Sequence, residues 1–396
     1  MAVGWFATIP WSAMESSSPR DAQTTSRRSA RPAAKPSAKE RVKTSSEWPY
    51  PDNAITRSFT ELAMTVRDTG LLRRHYTFYS LFGASLILAL AGVITGIILL
   101  GDSWFQLLMA VALGVVFTQF AFFGHEASHR TVFVSGARND RLGLWLSAFM
   151  VGVGHQWWMN KHSRHHQNPN QIGKDPDIET DTISFIEEDA AKSRGIVRAI
   201  TRRQGWLFFP LLTFEGLNLH RLSIISLFKF GTTRQKWTEM SLITAHFALY
   251  LIPLFLFLPL GMAFAFVGVQ MAVFGVYMGA SFAPNHKGMP IIPADVKVDF
   301  FTKQVVTSRN VRGGWPMSIL MGGLNYQIEH HLFPNMARPY LAQARTIVRE
   351  YCETLEVPYT ETSLMESYAI VIAYLNRVGL AARDPFDCPE RTAMGR

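Results

Sequence analysis

Seven of the chain's twelve histidines fall in three tight groups. They are His125-Glu126-Ala127-Ser128-His129, His162-Ser163-Arg164-His165-His166 and Gln327-Ile328-Glu329-His330-His331. On a helix, residues three and four apart share a face, so each group can turn its imidazoles toward one point. Neutral imidazole is the commonest protein metal ligand. Seven imidazoles are too many for one ion, so the groups predict two metals. Imidazole suits Fe, Zn, Cu and Ni alike, and ligand type alone does not name the metal. Glu126, Asp175, Asp177 and Glu329 are candidates to hydrogen-bond ligand histidines and fix their tautomers. Asp175-Pro176-Asp177 reads equally well as a turn.

Long apolar runs must carry these groups. Phe78 to Leu100 is uncharged for 23 residues, enough for one membrane helix. Gly101-Asp102-Ser103 makes a very short turn, and Trp104 to Gly124 is a second uncharged run. Leu142 to Gly154 is apolar but too short to span, which predicts an interfacial or re-entrant helix. Residues 155–240 are polar, aromatic and basic; then Leu242 to Leu260, a turn at Gly261 and Met262 to Ala283 form a second hairpin. The expected fold is an all-α integral membrane protein with two transmembrane helical hairpins (four spans) plus interfacial helices.

Parity puts both termini, residues 125–240 and everything after 285 on one side. The turns near Asp102 and Gly261 carry no Lys or Arg, so that side is expected to be cytoplasmic. All three histidine groups then emerge at one membrane face, under a cytoplasmic helical cap that includes an amphipathic helix from Ala344 to Leu355. Ser16 to Pro49 holds almost no large apolar side chains and cannot offset its ordering entropy. The expected division is a disordered basic segment over 1–50, a membrane domain over 51–360 and a cytoplasmic C-terminal tail over 361–396.

The net charge of +9 suits nucleic acid or an anionic membrane face. The apolar runs decide for the membrane, with no nucleic acid partner. Cys352 and Cys388 form no C-x-x-C pair, which argues against a disulfide framework and a thiolate metal site. A membrane metal transporter is a distant alternative. Transporters keep their ligands near the bilayer midplane, whereas these groups lie at one face.

Taken in order around two hairpins, the groups resemble those of the membrane fatty acid desaturases. The wider strings WWMNKHSRHH (157–166) and GGLNYQIEHHLFP (322–334) resemble them more closely still. Glutamine opening the third group is similar to the front-end branch, which includes Δ5, Δ6 and sphingolipid Δ8 enzymes. The resemblance implies a non-haem di-iron centre that uses O₂ to remove hydrogen from an unactivated methylene of an acyl-CoA or membrane lipid. By motif position, His125, His129, His162, His165, His166, His330 and His331 are the implied iron ligands. The family often has one more histidine between the second hairpin and the last group, and His286 is the candidate. Gln327, an amide and a poor iron ligand, is expected to act beside the metal rather than on it.

The stretch Thr307-Ser308-Arg309-Asn310 is similar to one in front-end relatives, which implies that Arg309 or Asn310 supports the ligands. Ser308 reads otherwise as a helix cap. Many front-end enzymes carry a fused cytochrome b5 with a His-Pro-Gly-Gly haem motif, and no such string occurs here. Electrons are therefore expected from an external donor, a ferredoxin or free cytochrome b5-type protein with its reductase. That arrangement suits an enzyme of a bacterial plasma membrane. A fatty-acid hydroxylase or ketolase on the same scaffold is the alternative.

Overall fold

The computed structural model describes residues 56–229 and 232–383. The segment 1–50 and Cys388 lie outside the described residues. A short helix, α1 (Thr56–Asp68), precedes the first hairpin of α2 (Tyr76–Leu100) and α3 (Gln106–Ser128). α4 (Gly136–Leu144) runs into a π-helical turn, Trp145–Val151, and α5 (His155–Gln167) follows. Four helices, α6 (Glu187–Lys192), α7 (Gly195–Thr201), α8 (Gln204–Leu212) and α9 (Glu215–Leu227), lead to the second hairpin, α10 (Thr233–Phe257) and α11 (Leu260–His286). Beyond it come α12 (Phe300–Val306), β1 (Asn310–Val311), α13 (Gly314–Leu320), α14 (Gln327–Leu332), α15 (Arg338–Thr354), β2 (Glu361–Thr362) and α16 (Leu364–Leu380). The two short strands pair in parallel, Asn310 opposite Glu361.

Helices α2, α3, α10 and α11 are long and apolar enough to cross a membrane. Their burial differs. α2 keeps Leu81, Leu88, Ile98 and Leu99 exposed, as a lipid-facing helix does, while α3 is buried on nearly every side from Val116 onward. α3 packs against α2 and α11, so it is the central post of the bundle. Its first turn closes the hairpin: the Gln106 amide donates to Ile97 O and Gly101 O, both at 2.8 Å.

Two local readings shift. The second hairpin turns at Leu258-Pro259, and Gly261 lies inside α11. Pro259 disfavours the α region for the residue before it, and Leu258 is accordingly extended at φ −103°, ψ 147°. The short apolar stretch over 142–154 becomes the end of α4 plus the π-helical turn. Gly152 ends that turn at φ 78°, a conformation glycine adopts without strain. A Cβ there would sit 2.6 Å from the His246 ring. The rings of His246 and His220 tie the turn down, donating from Nδ1 to Phe149 O (2.9 Å) and Gly152 O (3.0 Å).

The amphipathic helix expected from Ala344 to Leu355 falls within α15, with Leu341, Ala344, Val348 and Cys352 buried along one face. Residues 364–380, assigned by sequence to the tail, form α16. Its Val371, Leu375 and Val378 pack with Phe208 and Leu212 of α8 and with Ala283 of α11.

Candidate metal centre

Each histidine-bearing helix is fixed by contacts from elsewhere in the chain. At the end of α3, Glu126 turns away from the histidines. It accepts two hydrogen bonds from Arg338, at 3.0 and 2.7 Å, and one from the Tyr79 hydroxyl at 3.3 Å. This anchors the last turn of α3 to the start of α15. The N-terminus of α5 is capped from α10: Gln156 N donates to the Glu239 carboxylate at 2.9 Å, satisfying one of the orphan amides of a helix start. α14 is held by Asn310, whose Oδ1 accepts from Ile328 N (2.9 Å) and whose Nδ2 donates to Glu329 (2.7 Å). Tyr359 donates to the other Glu329 oxygen at 2.7 Å.

The seven motif histidines and His286 converge as two groups, with ligand atoms inside each within 4.8 Å of one another. The first comprises His125, His129, His162, His166 and His330; the second comprises His165, His286 and His331. In the first, Nε2 of His162 lies 2.9, 2.8 and 3.1 Å from Nε2 of His125, His129 and His166. In the second, Nε2 of His165 and His286 are 3.3 Å apart. The rings of His166 and His331 stack at 4.2 Å where the groups meet.

In the second group every Nδ1 is engaged outward. His165 donates to Asp175 at 3.0 Å, His286 to Thr307 O at 2.9 Å and His331 to Gln304 Oε1 at 2.8 Å. This fixes the tautomers and leaves each Nε2 free to face inward. Nε2 of His330 and of His331 is buried without a hydrogen-bond partner, a costly state for a polar atom unless something binds it. Burial and neighbouring rings push His162, His166, His330 and His331 well below the usual imidazole range, and burial takes His129 to about 3. Burial also opposes charge on His165, but Asp175 and Asp177 outweigh it and shift the group upward. Inward-facing imidazole nitrogens in two groups are a donor set that fits two transition-metal ions, whose binding displaces any ring proton.

Gln327 lies beside the second group. Its Nε2 is 2.8 Å from His286 Nε2, and its Oε1 accepts from Asn285 at 3.3 Å. Turning the amide by half a rotation would exchange these atoms. His165, Asp175 and Asp177 also cluster, yet both carboxylates are engaged. Asp177 pairs with Lys161 at 2.6 Å, and Asp175 accepts from Asn170 N at 2.7 Å. His75, His220 and His246 stand apart, each bonded to backbone. Sequence reasoning missed Gln304, Glu239, Arg338 and Tyr359. Each reaches the site from a distant segment, and no local pattern marks it.

Two cavities adjoin the histidines. One of about 10 Å³, lined by His125, Glu126, His129, Thr131 and His330, has room for one water. The other, about 30 Å³, is mostly apolar and is lined by His125, Trp158, Leu219, Phe274, Met278 and Val151 of the π-helical turn.

The four apolar spans thus present a two-part histidine site, able to hold metal ions, beside a mostly apolar cavity. Residues 102–363 match the fatty acid desaturase family, and the chain belongs to it. It is 27% identical to the Delta(8)-fatty-acid desaturase 2 of Arabidopsis thaliana, over 83% of this chain and 76% of that protein. It is also 27% identical to the Delta(6)-fatty-acid desaturase fat-3 of Caenorhabditis elegans, with the same coverage. Against the Delta(5) fatty acid desaturase fat-4 of that organism it is 28% identical, over 77% and 70%. The chain is therefore a membrane desaturase, an oxidoreductase acting on fatty acyl chains.

Proposed function

We propose that the chain is an oxygen-dependent front-end desaturase that inserts a cis double bond on the carboxyl side of an existing one, Δ6-like in position. The first iron would be held by His125, His129, His162, His166 and His330, and the second by His165, His286 and His331 with Gln327 alongside. When bound, the irons would use one O₂, two electrons and two protons to take two hydrogens from neighbouring methylenes, giving a double bond and two waters. The observation that carries this reading is the convergence of eight imidazoles, six buried and two half-buried, as two groups, with every Nδ1 of the second group turned outward.

The protein's own part is to bind, orient and exclude water. The apolar cavity against His125 holds a stretch of acyl chain, and burial keeps water from the reacting carbons. Trp158 stacks on His162 at 4.8 Å and borders the cavity, so it fixes both ligand and substrate wall. Positive-inside charge supports a cytoplasmic metal site and a cytoplasmic cap. The donor is a separate ferredoxin or cytochrome b5-type protein with its reductase, drawn to the basic face. A bacterial plasma membrane rests on that external donor alone. The acyl carrier is CoA or intact lipid.

The test is turnover by purified, iron-loaded protein with ferredoxin, its reductase and a long acyl substrate that already carries a double bond. One O₂ consumed per double bond formed, and no product without oxygen, is the expected result. A hydroxylated product would move the chain to the hydroxylase reading.

A further inference from the structure

Arg309 is 1% exposed, and among the described residues no carboxylate forms a salt bridge with it. Its guanidinium is spent on backbone. Nε donates to Pro284 O at 2.8 Å; one terminal nitrogen donates to the same oxygen and to Lys287 O at 3.1 Å. The other contacts Met289 Sδ at 3.8 Å. The Arg309 amide donates to Asn285 O at 2.8 Å. These acceptors are the last carbonyls of α11 and the residue after it, which a helix end leaves without partners. A cation is favoured there by the helix dipole.

The end of α11 is weak for a stated reason. Pro284 lacks an amide hydrogen and cannot bond Ala280 O; Tyr368 supplies that hydrogen bond instead, at 2.9 Å. His286 is the last residue of this helix. Its Nδ1 donates to Thr307 O, two residues before Arg309, and its own carbonyl accepts from Asn170 Nδ2 at 3.1 Å. Asn310, the next residue along, holds α14.

We infer that Arg309 is a positioning residue: by gripping the carbonyl end of α11 it sets His286 within reach of His165 and His331 and so completes the second metal group. The inference rests on the metal assignment proposed above. Lysine cannot reproduce the fork, because one ammonium offers no planar pair of donors for two carbonyls. The first group takes no ligand from α11.

The test counts irons per chain in purified, Fe(II)-loaded protein, with circular dichroism and size-exclusion profiles alongside. The comparison set is the parent, R309Q, R309K and His286→Ala. The parent holds two irons. R309Q falls to one, as His286→Ala does, with parental helicity, and R309K keeps two but releases the second to a chelator several-fold faster. R309Q that holds two irons as firmly as the parent overturns the inference alone. Loss of both irons together in R309Q and R309K, or loss of helicity in both, overturns it too and leaves Arg309 a folding residue. A parent that binds no iron removes the metal assignment itself, and this inference with it.

Discussion

Both carboxylate oxygens of Asp175 face Nδ1 of His165, at 3.0 and 3.1 Å, on the side of the ring opposite the metal group. Asp175 is itself held by the backbone amides of Asn170 and Asp177, at 2.7 and 2.9 Å. The chain over 168–178 is thus folded around a carboxylate that holds the His165 ring in place. Removing such a partner typically costs 10–100-fold in metal affinity. Asp175→Asn is expected to weaken iron retention in the second group by about that factor, read by chelator competition. Parental retention would show that His165 is oriented by packing alone.

The Arg338–Glu126 pair is buried at both ends, with side-chain exposures of 4% and 8%. Breaking a buried pair by removing one partner costs about 3–5 kcal/mol, because the other charge is stranded. Arg338→Met should destabilise the protein by that order, and the double variant with Glu126→Gln should be less destabilised than the sum of the singles. Detergent-solubilised denaturation curves read the coupling. Strict additivity would mean the pair does not act as a unit.

Glu215 gives a pH signature away from the metals. Burial raises its pKa above the usual carboxylate value, with Lys161 and Asn218 opposing. A carboxyl with a raised folded pKa binds more protons folded than unfolded once pH exceeds the unfolded value near 4.5. Stability therefore falls as pH rises through that window. Glu215→Gln removes this loss, so it should raise the melting temperature more at pH 8 than at pH 4.5. An equal shift at both would contradict the burial argument.

The apolar cavity makes a separate prediction. Met278 lines it together with Val151 and His125. Met278→Trp should lower conversion of long acyl chains by about tenfold or more, the scale at which a pocket discriminates one or two methylenes. Iron content should be unchanged. Full activity on long chains would mean the acyl group lies elsewhere.

What was legible in the sequence was local. The histidine spacings and the four apolar runs depend on periodicities of three to four residues and on lengths of about twenty, and both survive folding. The partition of ligands was not legible. His165 lies between His162 and His166 in one motif yet joins His286 and His331, while adjacent His330 and His331 point to different groups. Consecutive residues on a helix differ by about 100° in direction, so one short helix turns neighbouring imidazoles into two groups, and only packing decides which. Gln304, Arg338 and Glu239 reach the site across more than twenty residues of chain and leave no local pattern. The π-helical turn escaped for a related reason: its two histidine anchors come from α9 and α10.

The most direct test of the account is the fatty-acid profile, by gas chromatography–mass spectrometry, of a desaturase-deficient host expressing this chain beside hosts expressing His165→Ala and His330→Ala. These variants remove one histidine from each of the two groups. The expected result is a new unsaturated acyl chain, its double bond on the carboxyl side of an existing one, absent from both variants. The same product in undiminished amount from either variant would contradict the two-metal site.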